Sequence, residues 1–330
     1  MNITVIGELG DVGSAVTKNA VDKGHRVTAL DVSTAHMARL GEARNKVSFF
    51  EGDVVDKSSL LPAMEGVGAV ITAIRLTTEQ MLRGRGYKDV ELEGIKNVVE
   101  VARGKGVRKF VHLSVDGLGL GCAMCQAKLQ AEEVIRNSGM DYTIFRSSAL
   151  FKELDSFFIP QALSMGDAAA DWPYGPIDIH LCPLSHQDLA HCMVSAADNP
   201  KTSDKTIAIG GPDCITLGDL LNMIAKEAGD KAYYTRGVSK EALMQSIKKN
   251  PAQSLFTARQ IEDFIVDSKI DHAALRDMFG LEFQRVEDYI RQAVPRVQAA
   301  LAGHCKRPER RYRPPRRCER EIPLPAPSAV

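Results

Sequence analysis

Between residues 3 and 31 the chain reads strand, glycine-spaced loop, helix, strand, and few folds admit that order. Ile3 to Ile6 is a short, β-branched and mostly apolar run, as a strand buried on both faces requires. Gly7, Gly10 and Gly13 follow at a spacing of three. Ala15, Val16, Ala20 and Val21 then recur at helical spacing, and Gly24 is placed to end the helix. Arg26 to Asp31 is the second strand. A glycine-spaced loop carries weight only in this setting, between a strand and a helix. Gly7 permits the tight turn, Gly10 lets backbone approach a pyrophosphate, and Gly13 lets the helix pack close to the strand. The run Gly7-Glu8-Leu9-Gly10-Asp11-Val12-Gly13 would then present helix-start amides to phosphates, where the helix dipole favours negative charge. Asp31, 18 residues after Gly13, is placed to bond a ribose 2′-hydroxyl. A carboxylate there repels a 2′-phosphate, which points to NAD, with NADP as the alternative. An ordinary βαβ turn with no ligand is the competing interpretation.

The alternation continues down the chain. Ala35 to Ala43 has helical spacing and Val47 to Glu51 is a third strand. Asp53 and Val54 follow it, where an acid can hold adenine or cap a helix over Lys57 to Met64. Ala69 to Ile74 is a fourth strand, so Thr72, Ala73, Ile74 and Arg75 fall at its carboxyl end. Residues 79 to 89 are polar, contain Gly84 and Gly86, and suit a loop over the cofactor. A helix is expected from about Val90 to Arg103, with Ile95, Val98, Val99 and Ala102 on one face. Lys109 to Ser114 is a fifth strand, Ala127 to Asn137 a helix, and Asp141 to Arg146 a sixth strand. Strands alternating with helices imply a Rossmann-type, doubly wound parallel sheet, with the loops after the strands along one edge. That shared edge gathers the glycines, Asp31, Asp53, Thr72 to Arg75 and Ser114 into one candidate site.

Beyond residue 147 the pattern loosens. Phe151 to Met165 is apolar and helical until Pro160 interrupts it, and Asp171 to Pro176 is a turn-rich loop with the only tryptophan. There Trp172 and Tyr174 either face a substrate or pack. Thr206 to Ile209 is a strand, Gly210-Gly211-Pro212 a turn, and Thr216 caps a helix from Leu217 to Ala228. Residues 233 to 300 are largely helical, with a break at Lys249 to Pro251. The organisation expected is residues 1–150 as a nucleotide-binding domain and 151–303 as a smaller, mainly helical C-terminal substrate part interleaved with it. Residues 304–330 form a basic, Pro-rich tail expected to be disordered.

The formal net charge of zero conceals +5 in that tail and −5 in the body. A body of that sign gives no reason to expect nucleic acid as a partner. No run of eighteen apolar residues suggests a membrane span, and the chain begins with a strand instead of a signal peptide. Seven cysteines, odd in number and scattered, suit reduced thiols in a cytoplasm. Cys122-Ala-Met-Cys125 is a single C-x-x-C, too little to argue zinc beside the dispersed His180, Cys182, His186, His191 and Cys192.

Several longer runs resemble the atypical short-chain dehydrogenase/reductase superfamily. They are Lys109-Phe-Val-His-Leu-Ser114, Gln126-Ala-Lys128-Leu-Gln-Ala-Glu132-Glu133, Asp141 to Arg146, Leu150-Phe151-Lys152, Pro183 to Ala190 and Ile209 to Pro212. The likeness covers about residues 1 to 290 and is greatest to the nitrogen-metabolite-regulator-like and divinyl chlorophyllide reductase-like branch. It implies that Lys128 holds the nicotinamide ribose and that Ser114 stands beside it. In the superfamily a tyrosine four residues before that lysine supplies a proton. Here the position is Met124, and a thioether donates none. The resemblance therefore implies hydride transfer to a small or planar unsaturated substrate without that tyrosine. The alternative is a non-catalytic dinucleotide-binding regulator or assembly factor; a sugar-nucleotide epimerase, which needs the tyrosine, ranks last. The partners expected are a small-molecule substrate and, as a candidate, a second copy of the chain.

Overall fold

A computed structural model of the chain describes residues 1–7, 10–33, 37–118, 123–165, 171–230, 234–249, 268 and 270–305. Seven strands form one parallel sheet: β1 (Asn2–Ile6), β2 (Arg26–Asp31), β3 (Val47–Glu51), β4 (Ala69–Thr72), β5 (Lys109–Val115), β6 (Asp141–Ser147) and β7 (Lys205–Ile209). Their order is β3-β2-β1-β4-β5-β6-β7. The order reverses between β1 and β4, and the crevice outside the carboxyl ends at that switch is where such sheets bind ligands.

Helices cover both faces. On one side α2 (Gly94–Gly104) and α3 (Ala123–Arg136) bury Ile95, Val98, Ala131 and Ile135 against Ile6, Val70, Phe110 and Ile144. On the other, α1 (Asp11–Asp22), α4 (His186–Ser195) and α6 (His272–Phe279) pack Val16, Leu189, Met193 and Phe279 onto Ile3, Val5, Ile71 and Val111. Successive strand residues point to opposite faces, which is why strands apolar at nearly every position serve both cores. A third core lies beyond the sheet, built from Phe151, Leu154, Phe158 and Trp172 with α5 (Leu217–Ala228) and α7 (Val286–Cys305). Trp172 is fully buried, its ring 5.0 Å from that of Tyr174 and 5.8 Å from that of Tyr234, so both loop aromatics serve packing.

The expected strands and the Thr216-capped helix stand where the residue pattern puts them. Other expectations are corrected. The polar stretch 79–89 contains a helix, Thr78–Leu82, started by a capping box between Thr77 and Gln80. The helix expected from Val90 begins at Lys88 as a π turn, Lys88–Glu93, before α2. Pro160 does not interrupt its helix. Helical torsions run on from Phe151–Glu153 through a π turn over Leu154–Phe158 into Ile159–Met165, and the π turn just before the proline accommodates the missing N–H and the ring. Ala35 and the residues beside it lie outside the described residues, and the segment after them, Met37–Lys46, is a 3₁₀ helix kinked at Gly41.

The cysteines are not all thiols. A disulfide joins Cys182 to Cys214, across the strand pair His180–Leu181 with Ile215–Thr216, and Cys125 is also disulfide-bonded, while Cys192 is a buried thiol. Scattering along the chain hid the first pair, which folding brings together from 32 residues apart. Among the described residues no helix is long and apolar enough to cross a membrane. Residues 306–330, most of the basic tail, lie outside the described residues.

Candidate functional site

Gly7 leaves β1 in the left-handed region (φ 81°), with its N–H on the Leu30 carbonyl at 3.0 Å. A Cβ there would stand 2.7 Å from the carbonyl oxygen of Ala73, which fixes glycine at the position twice over. Gly10 is the N-cap of α1 in extended conformation, and being glycine it brings no side chain to cap the helix. Among the described residues the backbone donors at the start of α1 thus have no capping hydroxyl or carboxylate over them. Gly13 is buried against the sheet. Asp11, in the first turn, pairs with Arg39 at 3.4 Å, which offsets a charge that would oppose a phosphate. Glu8 and Leu9 lie outside the described residues.

Asp31 closes β2 and accepts a hydrogen bond from the N–H of Val32 at 2.7 Å. Asp53, beyond β3, receives Arg85 from the turn after Thr78–Leu82 and the N–H of Val55 at 3.2 Å. It caps no helix. That role falls to Asp56, which accepts from the N–H and hydroxyl of Ser58 at 3.0 and 2.7 Å, and these bonds hold its carboxyl below the ordinary range. Val54 is buried, packed so closely on Gly94 that a Cβ there would stand 2.6 Å from its Cγ2. Arg75 is exposed at the sheet edge, whereas Ile74 is buried.

Beside β4 the polar groups go inward. Thr72 pairs in register with His112, and its hydroxyl lies 2.7 Å from His112 Nδ1. His112 is 1% exposed and its Nε2 has no partner among the described residues. Burial, and then the positive charge of Lys128, push its pKa well below that of a free imidazole. Lys128 is 4% exposed and donates to Glu91 Oε2 at 2.8 Å; Glu91, 2% exposed, accepts the N–H of Leu76 on its other oxygen at 3.0 Å. Ser114 is buried and donates to Glu132 Oε1 at 2.7 Å, in place of the backbone partner considered from sequence. Glu132 also accepts Arg146 (3.0 and 2.7 Å) and Arg136 (2.6 Å). Burial raises its pKa, but these donors outweigh burial and hold the carboxyl below the ordinary range. Met124 lies one turn before Lys128 in a small apolar cluster with Leu118, Cys125 and Tyr87.

Three acids escaped the sequence reading. Glu91 is four residues before Ile95 and Glu132 four after Lys128, each on the buried face of its helix. A charge interrupting an apolar stripe was the available signal. The third is Glu153, whose Oε2 accepts the N–H of Leu150 at 2.8 Å. Burial raises its pKa, while Arg75 pulls it down and Asp11 adds to the rise. An acid with a raised folded pKa favours folding at low pH, and that contribution is lost as pH rises through the folded pKa. Glu153→Gln is therefore expected to leave the Tm unchanged near pH 4. At pH 8 it should raise it, because the buried carboxylate no longer has to ionise. Parallel melts across that range check the sign.

The NmrA-like family model matches residues 1–290. The photosystem II assembly factor Ycf39 of Cyanophora paradoxa is 24% identical over 238 residues, 72% of this chain and 71% of that one. Divinyl chlorophyllide a 8-vinyl-reductase of Cucumis sativus is 27% identical over 225 residues, 64% of this chain and 53% of that one. Among solved structures, a short-chain dehydrogenase/reductase superfamily protein of Agrobacterium tumefaciens with bound NAD superposes with a TM-score of 0.68. It is 18% identical over 93% of this chain and 100% of that one, a likeness that shows the fold.

Proposed function

This chain belongs to the NmrA-like family, and on that premise we propose that it is an NAD(P)-dependent oxidoreductase acting on a small or planar unsaturated substrate. The observation that carries the proposal is the α1 start, which begins at a glycine with no capping side chain among the described residues and lies by the Gly7 turn against Ala73 at the switch point of the sheet. A side chain at Gly10 would stand in the way of a pyrophosphate, and none is present. Residues 7–13 would hold the pyrophosphate, Asp31 the adenosine ribose, and Asp53 with Val54 the adenine. Thr72 to Arg75 would line the middle of the cofactor. Lys128 would hold the nicotinamide ribose, with Ser114, tied to Glu132, beside it.

A bound nicotinamide dinucleotide supplies hydride chemistry. The chain's own residues bind and orient. Met124 donates no proton and His112 is kept neutral in the interior, so the proton for a reduced substrate comes from water or from the substrate. Fluorescence titration of NADH and NADPH with the whole protein tests the cofactor. NADH is expected to bind about tenfold more tightly, because Asp31 opposes a 2′-phosphate. Asp31→Ser should bring the two affinities together; tighter binding of NADPH by the unaltered protein would remove the assignment.

Met124 favours a second reading, a dinucleotide-binding assembly factor that does no chemistry, and one relative carries such a name. NADH oxidation against a panel of quinones, enones and dyes separates the two. Tight NADH binding with no turnover of any acceptor, and a protein partner recovered with it, would support the second.

A further inference from the structure

We infer that Glu91 is a positioning residue for the nicotinamide end of the site, one carboxylate that fixes both the Lys128 ammonium and the backbone after β4; this rests on the role proposed above for Lys128. Its two oxygens are divided between two elements. Oε2 takes Lys128 on α3 at 2.8 Å, and Oε1 takes the N–H of Leu76, next to Arg75, at 3.0 Å. The residue lies in the π turn Lys88–Glu93, and such turns insert an extra residue into a helix and recur at functional sites.

The pair is a poor choice for stability alone. Both partners are within a few per cent of complete burial, and well-packed apolar residues of the same volume hold a fold at least as well as a buried ion pair. Thr72 and His112, paired in register on β4 and β5, are a further buried polar pair, and the charge of Lys128 reaches His112. Glu91 itself ties α3 to the segment after β4. Moving Glu91 therefore shifts the ammonium and the Leu76 backbone together. An ammonium has three donors, and Glu91 accounts for one while setting the direction of the rest.

The test uses the full chain, NADH, and ADP, which has the adenosine and pyrophosphate half but no nicotinamide ribose. Glu91→Asp keeps the charge and shortens the arm by one methylene. It is expected to weaken NADH about tenfold, the loss of roughly one well-placed polar contact, and to leave ADP within twofold. Amide exchange at Leu76 should quicken, with no change in the β1–α1 turn. The paired variant E91Q/K128M carries no unbalanced charge and should bind NADH no worse than K128M. Unchanged NADH affinity in Glu91→Asp, equal losses for NADH and ADP, or a further loss in the paired variant beyond K128M would each overturn the inference. Wild-type protein that binds ADP but not NADH would instead overturn the role of Lys128 on which it rests.

Discussion

Gly7→Ala is expected to weaken NADH by more than ~100-fold and to lower the Tm by several degrees, because it acts on the backbone that shapes the cradle. The left-handed torsion alone costs an L-residue about 1–2 kcal/mol. The larger effect comes from the new methyl, which would stand 2.7 Å from the Ala73 carbonyl oxygen, so that β4 or the α1 start must move. Gly24 supplies the control. It has nearly the same torsion (φ 78°), nothing lies within 4 Å of its added Cβ, and it sits at the far end of α1. Gly24→Ala should therefore lose stability comparably from torsion and bind NADH normally. Thermal melts and fluorescence titrations of the two variants isolate the Ala73 contact, and NADH affinity retained in Gly7→Ala would refute the cradle.

Lys128→Met carries the second large effect. It leaves Glu91 buried without a cation, and breaking a buried pair in this way costs about 3–5 kcal/mol. Replacing both partners, Glu91→Gln with Lys128→Met, is expected to return most of that stability, since no charge is then stranded and the amide at position 91 keeps a carbonyl for the Leu76 N–H. NADH binding should stay impaired in both proteins. Denaturant unfolding and NADH titration thus give opposite outcomes for the double variant if the lysine acts on the ligand. A double variant that recovered stability and binding together would confine Lys128 to a structural part.

The βαβ opening and the sheet were legible because strand order and burial on two faces write themselves into apolar runs. Ile3 to Ile6, Val47 to Glu51 and Lys109 to Ser114 needed no tertiary knowledge. The site was legible only where backbone carries it. Gly7 and Gly10 announce a turn through the absence of a side chain, and Asp31 through its place at a strand end. Polar side chains were harder, because their partners come from elsewhere in the chain. Ser114 faces Glu132, 18 residues on, and Lys128 faces Glu91, 37 residues back. Periodicity marks such residues as exceptions on an apolar stripe and says nothing of what they meet. Pro160 misled for a related reason: a proline usually breaks a helix interior, but the π turn just before it lets the helix run on.

β7 has a practical consequence for anyone dissecting the molecule. It pairs along β6 from Thr143↔Lys205 to Ser147↔Ile209, though nearly sixty residues separate the two strands. A fragment ended at residue 150 would leave the outer rim of β6 as an open ladder of amide and carbonyl groups, a template for sticking to its own copies. It would also strip α4 and α6 from the α1 side of the sheet. The smallest cut that keeps this face of the sheet covered therefore has to reach past residue 283, because Leu275, Phe279 and Phe283 pack into the same core as α1.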